Sequence, residues 1–141
     1  MEAWRKVWRE GVAPLLAGAA LEVLRRALVE DDPRLLQGVT TTPPPLPVVE
    51  DWPCEAACLL AYPGAVELGG FAPAVGAARV GDVEESFARL CFEVDQHLGE
   101  PAACRFLLNF FDETPREEMR RQMLAEVNLS LAEREREEMW S

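Results

Sequence analysis

The sequence predicts an all-α, single-domain, orthogonal bundle of about five to seven helices, with an extended proline-rich strap and one glycine-rich loop. Three observations predict it. Apolar residues recur at three- and four-residue spacing along most of the chain. Prolines head several apolar segments, where a fixed φ suits the first helical turn and the missing N–H would be unpaired anyway. A length of 141 residues, with 49% hydrophobic and 28% charged side chains, is that of one domain able to bury a core without staples.

In chain order, Trp4, Trp8, Val12 and Leu15 fall on one helical face, with a kink or restart at Pro14. Leu21, Leu24 and Leu28 mark the next stripe, beside Arg25 and Arg26, which are expected to be exposed. Asp32 caps a short helical turn over 33–37 that Gly38 closes. Residues 39–51 contain Thr40-Thr41-Thr42-Pro43-Pro44-Pro45-Leu46-Pro47 and should be extended, near polyproline II.

Between 53 and 62, Cys54, Ala57, Cys58 and Ala61 form a small-residue stripe with Leu59 and Leu60 on another side. This predicts a short helix buried on most faces. Residues 63–81 hold five glycines and two prolines and read as a loop, in which 65–68 and 77–80 are able to pair as a small hairpin.

Helix resumes near Asp82, with Val83, Phe87, Leu90, Cys91, Val94 and Leu98 as its core face and Gly99 as its end. Residues 101–111 are apolar nearly all round, which predicts a central helix. The last helix starts near Pro115, where Thr114 and Glu117 have capping-box spacing. Met119, Met123, Leu124, Val127 and Leu131 supply its inner side. Gln122 and Glu126 interrupt any sustained heptad, and 133–141 reads as a solvated extension prone to fraying.

Charge sets the first limit on function. The net charge is −11, and residues 31–100 carry three basic against twelve acidic side chains. A segment this acidic repels phosphate backbones, which argues against direct nucleic-acid binding. The same field attracts a basic partner, although acidity also serves solubility alone. The chain has thirteen arginines, one lysine (Lys6) and no isoleucine, a usage typical of GC-rich, bacterial coding sequence. Its first residues lack a secretory pattern, and no apolar run there is long enough to span a bilayer, so a cytoplasmic location is expected. Four cysteines fit a reducing compartment better than a disulfide framework.

The side chains able to carry chemistry are few. Cys54 and Cys58 have zinc-ligand spacing, and Cys91, Cys104 and His97 are able to complete such a site. No second tight pair accompanies them, so packing as small hydrophobes is the preferred reading, ahead of metal binding or a reactive thiol. Glu93 and His97 are one turn apart, the spacing of an acid–base pair; the favourable place of a histidine at a helix C-terminus explains His97 more simply. No phosphate loop, nucleophile elbow or dinucleotide fingerprint is present. No cofactor is expected.

Two features suit partner binding: the rigid Pro44-Pro45-Leu46-Pro47 segment, and Phe71 as an exposed tip of the glycine-rich loop. The expectation is a non-enzymatic protein-interaction module, a small acidic accessory, inhibitor or immunity-type protein with a basic partner. The alternatives are a metal-binding or enzymatic protein using those cysteines or His97, and a subunit of a larger assembly attached through Trp4 and Trp8 or the C-terminal helix.

Overall fold

Residues 1–38 and 52–140 are described by the structure, a computed structural model; the expected strap over 39–51 lies outside them. Among the described residues the chain forms six α-helices and no strand: α1 (Ala3–Lys6), α2 (Gly18–Glu30), α3 (Tyr62–Glu67), α4 (Val80–Leu98), α5 (Cys104–Glu113) and α6 (Arg116–Trp140). This is the all-α bundle that the periodicity predicts.

Helix α1 widens into a π-helical stretch over Val7–Val12 and tightens into a 3-10 turn at Ala13–Leu15. Pro14 sits in that turn, with no N–H to continue the ladder, and Leu16 is extended. Trp4, Trp8 and Val12 are buried as expected, but Leu15 is 39% exposed. Changing the turn width from α to π to 3-10 rotates the fourth residue off the face that uniform spacing assigns it. Gly11 lets this stretch lie directly on α4: a Cβ there would come within 2.8 Å of Val94 and Leu98 side-chain carbons. Trp4 stacks on Phe110 of α5, with ring centroids 3.8 Å apart and planes 4° from parallel.

Two predicted helices are absent. Residues 33–37 form a turn and an isolated bridge: Leu36 N–H donates to Ala57 O, and Ala57 N–H donates to Arg34 O, both at 2.8 Å. Asp32 still caps this turn, since its Oδ1 accepts the Arg34 N–H at 2.9 Å. Residues 53–61 are likewise not helical. Cys54 N–H donates to Ala78 O at 2.7 Å, and Val80 N–H donates to Trp52 O at 2.8 Å. Cys54, Ala57, Cys58, Leu59, Leu60 and Ala61 are all buried. The small-residue stripe therefore marks burial correctly; its small side chains admit neighbouring backbone on both sides, and Cys54 and Ala57 bond across to other segments, local bonds starting only at Cys58 O.

Helix begins only at Tyr62, with Pro63 in its first turn. Residues 65–68 thus belong to α3 and its cap, and no hairpin forms with 77–80. The loop closes instead through Gly69, at φ +134°, where a Cβ would stand 2.2 Å from Gly76 O.

Helix α4 ends on Gly99 in the left-handed conformation. Val83 and Val94 are buried, while Phe87, Leu90, Cys91 and Leu98 are half-buried against the core. Helix α5 starts at Cys104, not Pro101, because Ala102 adopts a φ of +57°. It is not central: Cys104, Leu107 and Phe111 are buried, whereas Phe106 is 42% exposed.

Helix α6 buries Met119, Met123 and Val127. The residues that interrupt its heptads turn out to be inward contacts. Glu126 is buried and accepts two hydrogen bonds from Arg9, at 2.6 and 2.9 Å. Gln122 accepts from Arg5 at 2.9 Å. Ser130 Oγ accepts the Trp8 indole N–H at 3.0 Å and donates to Glu126 O at 3.0 Å. Three arginines of α6 reach carbonyls at other helix ends: Arg116 to Leu35 and Asp32, Arg120 to Leu28 and Val29, and Arg134 to Ala13 and Leu16. Past residue 132 the chain stays helical to Trp140, with Arg134 half-buried against the 3-10 turn and its neighbours exposed.

Ser130→Ala, which strands the fully buried indole N–H of Trp8, should lower stability by about 1–3 kcal/mol in denaturant titration. A loss no larger than that of an exposed Ser→Ala change elsewhere would refute the role given to this bond. A second outcome concerns Asp32, which is buried and accepts from Tyr62 Oη at 2.6 Å and from the Arg34 guanidinium at 2.9 and 3.0 Å. Burial opposes its charge, the Arg34 and Tyr62 bonds favour it, and the net effect holds the carboxyl below 3.8. A depressed folded value adds stability above the unfolded value that is lost as pH falls through the folded one. Asp32→Asn should therefore flatten the fall in stability below about pH 4; an unchanged acid limb would contradict this.

Candidate functional site

The outward side of α4 is built by the same periodicity as its core side. With Val83 and Val94 turned inward, Asp82, Glu85, Arg89, Phe92, Glu93 and Gln96 recur at three- and four-residue spacing on the opposite side, and all are exposed. Glu84 and Glu100 add two more exposed carboxylates beside this row. Arg89 is the one arginine or lysine of the helix and pairs with Glu85 at 3.0 Å. Phe92 stands in this acidic row at 65% exposure.

Clefts flank the row at both ends. One, of about 260 Å³, lies between α3 and α4 and is lined by Gly64, Glu67, Leu68, Asp82, Glu85, Ser86 and Arg89. The other, of about 380 Å³, is lined by Phe92, Asp95, Gln96 and the 99–102 turn. An aromatic face bordered by carboxylates suits a guanidinium or ammonium group, which gains from both the ring quadrupole and the charges. A larger cleft of about 630 Å³ runs between the 3-10 turn and the end of α6, lined among others by Leu15, Ser130, Glu133 and Arg134.

The residues singled out in the sequence are dispersed. Cys54 and Cys58 are buried in the non-helical segment, and all four cysteines are free thiols. Burial raises the Cys54 thiol and pushes Cys58 up to about 11. Cys91 and Cys104 are brought together: Cys104 Sγ lies 3.7 Å from Cys91 O. His97 is exposed in the last turn of α4, one turn beyond Glu93. Among the described residues, no three His, Cys, Asp or Glu side chains gather in a metal-binding group.

Phe71 is not the exposed loop tip expected from the sequence but 4% exposed, packed against Tyr62 at 5.1 Å with the Arg34 guanidinium 5.6 Å above its ring. Gly70, at φ +86°, helps fold it inward, and the most exposed large apolar residue of 63–81 is Val75. Trp4 and Trp8 are likewise buried, at 5% and 0%, and offer no attachment surface. Pro44, Pro45, Leu46 and Pro47 lie outside the described residues.

Phe92 escapes a reading directed at core stripes. Its signal was nonetheless present: a bulky aromatic off the α4 core face, followed directly by Glu93. Compared with known proteins, the chain matches no family model, no curated protein and no solved structure.

Proposed function

We propose that this chain is a non-enzymatic protein-interaction module, an acidic accessory, inhibitor or immunity-type protein whose α4 face receives a basic partner surface. The observation that carries the reading is Phe92, 65% exposed in a row of carboxylates with a single paired arginine. Exposed aromatics in such settings act as anchors, while surrounding charges speed encounter and reject acidic competitors. The same acidity disfavours nucleic acid. Free cysteines fit a reducing, cytoplasmic setting. No helix among the described residues is long and apolar enough to cross a membrane.

A second reading, a subunit of a larger assembly, is favoured by the end of α6, where Met139 and Trp140 are 82% and 90% exposed. Light scattering on the chain with and without Met139→Ser and Trp140→Ser distinguishes self-assembly through this end from a monomer.

The deciding experiment is affinity capture from the native host with three baits: wild type, Phe92→Ala, and Glu85→Lys with Glu93→Lys. Circular dichroism should verify that all three are equally helical. The expected result is a basic protein retained by wild type, bound roughly ten- to a hundredfold more weakly by Phe92→Ala. The charge-reversed bait should capture it more slowly and with a flatter salt dependence. Equal retention by all three baits would exclude this face.

A further inference from the structure

Cys104 lies against Cys91 because the turn between their helices is clamped by hydrogen bonds. Asp95, one turn after Cys91, accepts the N–H groups of Ala102 and Cys104, both at 3.0 Å. With Gly99 and Ala102 at φ +70° and +57°, this clamp folds the first turn of α5 back onto the last turns of α4. Cys104 Sγ is thereby set 3.7 Å from the backbone oxygen of Cys91. The two differ in access: Cys104 is 3% exposed, whereas Cys91 is only half-buried and adjoins the open Phe92.

We propose that Cys91 and Cys104 form a redox-active dithiol that closes to an intrachain disulfide on reaction with a hydroperoxide, stapling α4 to α5. Cys91 is the attacking group. Its sulfur forms a bond to the terminal peroxide oxygen, the O–O bond breaks, and the leaving oxygen takes up the proton Cys91 gives up. Cys91 is left as a sulfenic acid. Cys104 sulfur then attacks Cys91 sulfur, the S–S bond forms, the S–O bond breaks, and water leaves with the Cys104 proton. Two thiols are oxidised by two electrons, and one hydroperoxide is reduced to an alcohol, or to water when the oxidant is hydrogen peroxide.

The division of labour follows the local chemistry. Pairing with Cys104 holds the Cys91 thiol below its ordinary value, against burial and the nearby Asp95 carboxylate. That same pairing, with burial, raises Cys104, which suits a sheltered second thiol. Cys54 and Cys58 are raised by burial, at 0% and 2% exposure, and should stay inert. The proposal does not depend on what binds α4.

The test treats the reduced, folded full chain with stoichiometric hydrogen peroxide, then denatures, alkylates and maps it by mass spectrometry. The expected product has lost two hydrogens, carries a Cys91–Cys104 linked peptide, and alkylates only at Cys54 and Cys58. Its thermal midpoint should rise and return on reduction with dithiothreitol. In Cys104→Ser the reaction should stop at a Cys91 sulfenic acid trapped by dimedone. Four alkylated cysteines, a link through Cys54 or Cys58, or a persistent wild-type sulfenic acid would each overturn the proposal.

Discussion

The architecture depends on how α6 satisfies polar groups inside the protein. Glu126 is a buried carboxylate, and burying such a charge is strongly unfavourable unless donors meet it. Arg9 supplies two, with Arg5 3.5 Å away. One turn later Ser130 receives the indole N–H of Trp8, itself fully buried. These contacts join the first and last helical stretches of the chain and set the register in which Trp8 and Val12 enter the core. A purely apolar seam would allow α6 to slide by a turn; the Glu126–Arg9 and Ser130–Trp8 pairings tolerate no such shift.

The arginine-rich composition acquires a structural meaning from the same helix. Arg116 and Arg120 are spent on the carbonyls at and after the end of α2, and Arg134 on those of the 3-10 turn. Helix ends leave carbonyls unpaired and carry partial negative charge, so a guanidinium fork both satisfies and neutralises them. This gathers positive charge where α6 meets the N-terminal half. Helix α4, with Arg89 its only arginine or lysine against its carboxylates, is left as an acidic face. The asymmetry seen in the linear charge count thus becomes an asymmetry of surfaces.

The thiols show how one residue type takes different roles by placement. Cys54 and Cys58 sit among Leu59, Leu60 and Ala61 and serve as small apolar filler. Cys91 and Cys104 are thirteen positions apart in sequence, with no motif between them. The Asp95 clamp and the left-handed Gly99 and Ala102 make them neighbours.

The sequence by itself determined the all-helical class, the stripes of α2, α4 and α6, and the end of α4 at Gly99. Each depends on residues within a turn or two of one another, where helical spacing and cap chemistry act directly. Burial over 53–61 was legible for the same reason, but not its conformation, because small side chains suit close backbone approach in a helix or out of one. The tertiary structure alone decided what pairs across long separations: Glu126 with Arg9, Leu35 with Ala57, Cys91 with Cys104, and Phe71 turned inward onto Tyr62. Those partners are chosen by which groups the packed helices bring within a few ångströms, a distance that no local spacing encodes.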